Sequence, residues 1–201
     1  YPALMAMLKG KHDVEKGQRA YAKWTEIEQK CLSKAERVLT VVEEAKDRLI
    51  EEGIAAEKIT VVPNTADIEK FESSFIDTAI LRQYKPKFLL TYVGHVNSNH
   101  RGIQTVIEAL AELKPEIPEL YFVAAGGVRQ DYLNELQVLI TRYGLDHMVE
   151  FTGWVDETEF ASYIQASDIC LCPHIATPHT DTTFPNKVYL YNLFEKPVIA
   201  S

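Results

Sequence analysis

Five short apolar segments alternate with segments of helical periodicity over the second half of the sequence. The apolar segments are residues 88–93, 120–125, 148–151, 168–172 and 198–200, and helical patterns at 102–113, 130–143, 157–165 and after Pro185 separate them. Parallel strands need a crossover connection, usually a helix, so this alternation is typical of a parallel sheet with helices on both faces. The sequence therefore predicts an α/β fold with a doubly wound parallel sheet.

The first 76 residues have a different pattern. Apolar periodicity predicts helices at 16–36 and 43–52, strands at 37–42 and 58–63, and Gly53 as the glycine that ends the second helix. Residues 65–86 are mixed in composition and predict a linker with one short helix. We therefore expect one domain to end within residues 1–76 and a second, incomplete one to fill residues 77–201. The chain starts without Met and ends inside a predicted strand, so we expect it to belong to a longer protein.

Composition narrows the classes of partner and cofactor. The formal net charge of −8 gives no general electrostatic support for a nucleic-acid partner. No apolar run approaches the roughly 20 residues that span a bilayer, and the start has no signal-peptide pattern. Cys31, Cys170 and Cys172 lie in apolar patterns, so we expect reduced core thiols in a cytosolic protein. Cys170 and Cys172 with His174 do not match a zinc spacing, and we expect no metal site.

Ligands of doubly wound sheets bind beyond the carboxyl ends of the strands, which directs attention to the loop after the first strand of the second domain. Gly94 allows close backbone approach to a ligand, and Arg101 lies at the start of a helix beside unpaired amides. Together they suit a diphosphate. The loop has neither the dinucleotide fingerprint nor a P-loop. An ordinary turn with a surface arginine is the alternative.

Two further strand ends carry candidate binding residues. Gly153, Trp154 and Val155 follow a strand expected near the sheet centre, where backbone groups and an aromatic wall suit a base. Before the last helix, a polar loop flanked by His174 and His179 leads to a helix N-terminus that is suited to an anion. Its candidate residues are Asp181, Thr182, Thr183, Pro185, Asn186 and Lys187. An ordinary loop–helix–strand connection is the alternative.

Six segments taken in order resemble the retaining glycosyltransferases of family 4, the glycosyltransferase group 1 type with the two-domain GT-B fold. The resemblance covers residues 24–201, mainly the C-terminal, Rossmann-like domain that binds the nucleotide-sugar donor. The segments are AERVLTVVEEAKDRL at 35–49, KITVVPNTAD at 58–67, YVGH with RG at 92–102, VEFTGWV at 149–155, ASDICLCP at 166–173, and PNKVY with KPVIAS at 185–201.

The resemblance implies a role for each candidate residue. Gly94 approaches the diphosphate, and His95 and Arg101, as catalytic residues, hold the diphosphate and the leaving group. Trp154 and Val155 border the base, next to Gly153. The residues from Asp181 to Lys187 named above face the donor sugar and phosphate. Helix amides and cations balance the leaving-group charge in this family, so no cofactor and no obligatory metal are expected.

Four positions depart from the family pattern. Thr182 and Leu190 stand where many members have two glutamates, the second of which holds the ribose hydroxyls. Glu195 replaces a glycine before the Lys-Pro-Val segment. His95 replaces a permanent cation with a side chain that is mostly neutral near pH 7.

Two functions fit these observations. The first is transfer of a sugar from a nucleotide-diphospho-sugar to a sugar, lipid-linked or small-molecule acceptor, with retention. The second, favoured by Leu190, is a non-catalytic domain that binds a sugar nucleotide or a partner. A nicotinamide-dependent dehydrogenase lacks its glycine fingerprint here. The resemblance implies a cytoplasmic protein, and membrane contact in the family, at the inner membrane face, usually lies in the N-terminal half.

Overall fold

The computed structural model describes residues 14–69, 75–156, 159–177 and 180–201, with the side chains of residues 14–16 excepted. These residues fall into two compact units. The first contains the chain up to Asn64 together with Ala176–Phe184, and the second contains Thr65–Ile175 and Pro185–Ser201. No described helix is both long and apolar enough to cross a membrane.

The first unit is built from two helices and a parallel pair of short strands. Its elements are α1 (Val14–Lys34), β1 (Val38–Thr40), α2 (Glu43–Glu51) and β2 (Ile59–Val61). Arg48 on α2 donates to Glu28 on α1 at 3.0 Å and to Glu52 at 2.7 Å, which links the two helices. Gly53 follows α2 with a φ of +92°, as predicted for a terminating glycine. Cys31 on α1 is exposed, so the prediction that it is a core thiol is wrong.

The second unit contains the predicted doubly wound sheet. Its elements are α3 (Thr78–Tyr84), β3 (Phe88–Val93), α4 (Ile103–Leu113), β4 (Leu120–Ala125), α5 (Gln130–Tyr143), β5 (Val149–Gly153), α6 (Phe160–Ala166), β6 (Ile169–Cys172), α7 (Asn186–Leu193) and β7 (Val198–Ala200). The five strands are all parallel in the order β5-β4-β3-β6-β7. The predicted strands and helices are therefore confirmed, except that residues 157 and 158 of the third helix pattern lie outside the described residues.

The strand order reverses between β3 and β6, and this is where a doubly wound sheet forms its ligand crevice. The two strands pair directly only at Leu90 with Ile169 and at Thr91 with Cys170. Beyond those pairs the hydroxyl of Tyr191 on α7 lies between them: it accepts from Val93 N at 3.0 Å and donates to Leu171 O at 3.1 Å. The side chain of Tyr191 thus bridges the strands where they diverge.

Candidate functional site

The loop after β3 continues the sheet before it turns away. Gly94 N donates to Ala125 O, and Val96 N donates to Gly127 O, both at 2.9 Å. Because the amide of Gly94 is already hydrogen-bonded, Gly94 does not offer a free donor. What it contributes is the space left by the absence of a side chain. Its φ is +125°, and a Cβ placed on it would lie 3.6 Å from Lys187 Nζ.

His95 is exposed at the edge of this loop. A Cβ on Gly127 would lie 2.9 Å from His95 Nδ1, so the imidazole ring lies against the glycine of the neighbouring loop. The carbonyl of His95 accepts from the hydroxyl of Tyr92 at 3.1 Å, which fixes the backbone that carries the ring.

The loops that follow β3 and β6 are locked together at Gly102. This glycine has a φ of +70°, and a Cβ on it would lie 1.4 Å from the carbonyl oxygen of Pro173. A second link is the bond from Ile175 N to His100 O at 3.1 Å. Arg101, the last residue of the 3₁₀ turn Asn99–Arg101, is therefore held at the crevice between the two loops.

The side chain of Arg101 points towards the β6 loop. Its Nη1 lies 3.5 Å from Nε2 of His174, which is a buried residue. Its Nε atom is buried and, among the described residues, has no hydrogen-bond partner. The guanidinium keeps its charge at any physiological pH, so the crevice contains a permanent cation.

Lys187, in the first turn of α7, is the second basic side chain of the crevice. Its Nζ lies 3.9 Å from the centroid of the Tyr92 ring, a cation–π contact. That atom is also buried and has no hydrogen-bond partner in the described part of the chain. Burial lowers the pKa of Lys187 to about 7; the nearby Cys172 thiol opposes this shift, and the charge of Arg101 adds to it.

Two basic side chains with buried nitrogen atoms are costly to keep where no described carboxylate forms an ion pair with them. An unsatisfied buried donor costs about 1–3 kcal/mol, and more when it is charged. An anion with several oxygen atoms would pair with both side chains and remove that cost. The arrangement of Arg101 and Lys187 is therefore suited to a ligand with more than one negative oxygen, such as a diphosphate.

The strand that leads to Gly153, Trp154 and Val155 has a different place in the sheet from the one the sequence suggested. The prediction that this strand is near the sheet centre is wrong, because β5 is an edge strand, two strands from β3. A hydrogen bond joins the carboxyl end of β5 to the residue after β4: Gly126 N donates to Gly153 O at 3.1 Å. Trp154 is 76% exposed, whereas Val155 packs partly buried against an apolar cluster that includes Val93 and Ala125.

The polar loop before α7 belongs to the first unit. Asp181 and Thr182 lie in the 3₁₀ turn Thr180–Thr182, and Thr183 N donates to Thr180 O at 3.2 Å. The hydroxyl of Thr180 accepts from Thr177 N at 2.7 Å, which gives the loop its shape. His179 lies outside the described residues.

At the start of α7, Pro185 is the N-cap residue and Asn186 is the first helical residue. This confirms a helix that begins just after the proline and brings Lys187 into its first turn. Two buried tyrosines complete the region, and sequence reasoning did not include either among the site residues. Tyr92 belonged to a predicted apolar strand and to the segment YVGH, and Tyr191 lay in the helical pattern after Pro185.

Leu190 occupies the position that the resemblance assigned to the ribose. It is partly buried and packs against the apolar cluster of Val93, Ala125, Ile164, Cys170 and Tyr191. Its contacts are thus those of a side chain at the margin of the core. Among the described residues, no group of three or more His, Cys, Asp or Glu side chains could hold a metal ion.

Comparison with known proteins places these features in context. A family model described as glycosyl transferases group 1 matches residues 87–201, more than half of the chain. A 2-deoxystreptamine glucosyltransferase from Streptomyces kanamyceticus is 24% identical over 160 residues, which are 75% of this chain and 40% of that protein.

Solved structures show the same fold. HepE of Anabaena, crystallised with UDP and glucose, has a TM-score of 0.70 and 26% identity over 83% of this chain and 44% of HepE. Sucrose-phosphate synthase from Thermosynechococcus elongatus has a TM-score of 0.69 and 20% identity over 87% of this chain and 43% of the synthase. The chain thus spans less than half the length of these relatives. The predicted Rossmann-like sheet of a GT-B protein is confirmed.

Proposed function

Because the chain belongs to the glycosyl transferases group 1 family, we propose that the complete protein transfers a sugar from a nucleotide-diphospho-sugar donor to an acceptor. The acceptor is a sugar, a lipid-linked molecule or a small molecule, and the anomeric configuration of the donor is retained. The second unit binds the donor, and the first unit is the end of the acceptor side. We propose that the reaction takes place in the cytoplasm, and the free thiols of Cys170 and Cys172 support a reducing compartment.

The observation that carries this proposal is a pair of buried nitrogen atoms of basic side chains, Arg101 Nε and Lys187 Nζ, that have no hydrogen-bond partner among the described residues. They flank the crevice where the strand order reverses, the usual ligand position of a doubly wound sheet. The relative HepE was crystallised in complex with UDP and glucose and in complex with UDP-glucose. A diphosphate in the crevice supplies the negative oxygens that the two side chains lack.

In the proposed reaction the donor loses its sugar and leaves a nucleoside diphosphate. Negative charge builds up on the leaving oxygen, and fixed cations stabilise it more in the transition state than in the ground state. Arg101 and His95 are the catalytic residues that we assign to this charge, with Lys187 as a further donor. In the proposal Gly153, Trp154 and Val155 border the base, and Pro185 and Asn186 at the start of α7 face the donor sugar. No obligatory metal or other cofactor takes part in the proposal.

A non-catalytic domain that binds a sugar nucleotide is the second candidate. Leu190 favours it, because an apolar side chain in contact with the core offers no hydrogen-bond acceptor for ribose hydroxyls. Both candidates bind the same ligand class and differ in whether the bound sugar nucleotide is turned over.

The test measures binding and turnover in one preparation of the complete protein. Calorimetry with UDP, GDP and ADP identifies the base, and NAD serves as a ligand that neither candidate binds. Hydrolysis and transfer are then followed with the matching nucleotide-sugar, and NMR of the product reports its anomeric configuration. Binding with turnover and retention supports the enzyme, binding without turnover supports the second candidate, and no binding of any diphosphate contradicts both.

A further inference from the structure

We propose that the amine of Lys187 is neutral in the empty crevice and takes up a proton from solvent when a diphosphate binds. This inference rests on the proposed function. It adds that Lys187 gains its positive charge when the diphosphate complex forms. Arg101 is the permanent cation of the site, and Lys187 becomes the second cation only when its counter-charge arrives.

The surroundings of Lys187 Nζ explain why the empty site disfavours the ammonium form. From β3 the ring of Tyr92 faces it, and from the 3₁₀ turn the guanidinium of Arg101 acts on it with the same sign of charge. From β6 the thiol of Cys172 is near, and burial raises the pKa of that thiol, so it stays uncharged at neutral pH. The phenol of Tyr92 is also neutral there, because burial raises its pKa well above the usual range.

No carboxylate among the described residues forms an ion pair with Lys187. The described ion pairs lie elsewhere, at Lys46 with Glu43, at Arg48 with Glu28 and Glu52, and at Arg129 with Asp131. The cation–π contact with Tyr92 offsets only part of the loss of water. The result is a pKa of about 7 for Lys187, which leaves the amine mostly neutral above that pH.

A bound diphosphate changes this balance directly. Its oxygens place negative charge beside Nζ and beside Arg101, so the like-charge effect of the guanidinium is neutralised and the ammonium gains a partner. The pKa of Lys187 then rises, and a proton moves from the buffer to Nζ. At pH 8 the empty site therefore lacks most of this proton, and at pH 6 it already holds most of it.

The predicted consequence is a ligand-linked proton uptake that depends on pH. The complete protein is titrated with UDP and with UDP-glucose in buffers of different ionisation enthalpy, at pH 6 and at pH 8. The sugar nucleotide is the cleaner probe because its diphosphate has no terminal phosphate that titrates near neutrality. We expect close to one proton taken up at pH 8 and close to none at pH 6.

Three variants separate Lys187 from the histidines of the region, because histidine as a residue type can also take up a proton near neutral pH. Lys187→Arg puts a permanent positive charge at this position. We therefore expect no proton uptake on binding, while the affinity for the nucleotide at pH 8 stays within about tenfold of that of the native protein. His95→Gln and His174→Gln keep the lysine, so each retains the uptake. Uptake that persists in Lys187→Arg, or its absence in the native chain at pH 8, overturns the inference.

A second measurement decides the matter without a nucleotide. NMR of the complete protein labelled with ¹³C at lysine Cε follows each amine through the pH range, with and without inorganic pyrophosphate. We expect one lysine signal, absent from Lys187→Arg, to titrate near pH 7 and to shift by two pH units or more when pyrophosphate is added. A shift with pyrophosphate but no binding of any nucleotide contradicts the proposed function and supports the inference. A signal that titrates like the other lysines overturns the inference.

Discussion

The carbonyl oxygen of Pro173 lies so close to Gly102 that a Cβ there would fall 1.4 Å from it. The contact joins the loop that carries Arg101 to the loop that carries His174. The geometry of the crevice therefore requires a residue without a side chain at position 102. We predict that Gly102→Ala lowers the stability of the second unit and weakens diphosphate binding, since the two loops must separate to admit the methyl group.

Gly153→Ala is the matched control for this prediction. Gly153 has a similar φ of +75°, but a Cβ placed on it would meet no atom within 4 Å, so this variant shares the backbone strain without the clash. The strain costs about 1–2 kcal/mol in both variants. The clash in Gly102→Ala adds about 3 kcal/mol. Equal melting temperatures for the two variants would show that the contact with Pro173 is not a constraint.

Tyr191 bridges β3 and β6, and its removal leaves two buried backbone groups without a partner. We predict that Tyr191→Phe lowers the free energy of unfolding by about 2–4 kcal/mol, because Val93 N and Leu171 O each lose a hydrogen bond. Urea unfolding measures the change. Thr91→Val on β3 is the control: the Thr91 hydroxyl is buried and has no hydrogen-bond partner in the described part of the chain, so its loss is neutral or stabilising. A neutral Tyr191→Phe would mean that water replaces the bridge.

The strands and helices of the second unit were predictable because their apolar periodicity is set by burial. The position of Trp154 was not predictable, because strand order depends on how the helices pack across the sheet. Trp154 follows β5, which is at the edge of the sheet. Arg101 was proposed as a binding residue from its place after a strand and a glycine. Tyr92 and Tyr191 were not identified as site residues, because a buried tyrosine has the same periodicity as any core residue. Only the contacts of its ring or hydroxyl reveal a further role.

Arg101 is predicted to supply much of the affinity for a nucleoside diphosphate. A hydrogen bond to a charged group is worth about 1.5–3 kcal/mol, so Arg101→Ala should weaken binding by about 10- to 100-fold. Calorimetry at pH 7 measures the loss. Arg129→Ala provides the control, because Arg129 precedes α5 on the surface and pairs only with Asp131 among the described ion pairs. Equal affinity in Arg101→Ala and the native protein would remove Arg101 from the site.

Substitutions of Leu190 distinguish a position beside the donor ribose from a position in the apolar core. Since its side chain packs against the apolar cluster that contains Val93, Ala125 and Tyr191, we predict that Leu190→Glu lowers the free energy of unfolding by about 1–3 kcal/mol. Leu190→Met keeps the volume and is the control, with a change below about 1.5 kcal/mol. Thermal melts with and without UDP measure both effects. A larger stabilisation by UDP in Leu190→Glu than in the native protein would instead indicate a carboxylate that holds the ribose.

Lys187 is predicted to lower the stability of the protein in a way that depends on pH. Its pKa is about 7 in the folded chain and has the ordinary value of 10.5 in the unfolded chain. Below pH 7 both states are protonated and the cost of the buried ammonium is fully present; between pH 7 and 10.5 the unfolded state binds more protons, so stability rises with pH.

Lys187→Met removes the charge and keeps most of the side-chain volume. We predict a gain of about 2 kcal/mol at pH 7, after the loss of the cation–π contact, which shrinks towards zero near pH 10. Thermal melts from pH 6 to pH 10 measure it, with Lys85→Met, at an exposed position, as the control that shows no such trend. Because the same substitution removes a diphosphate donor, stability at pH 7 and affinity should change in opposite directions. A loss of stability that is equal at every pH would mean that the amine is not penalised by burial.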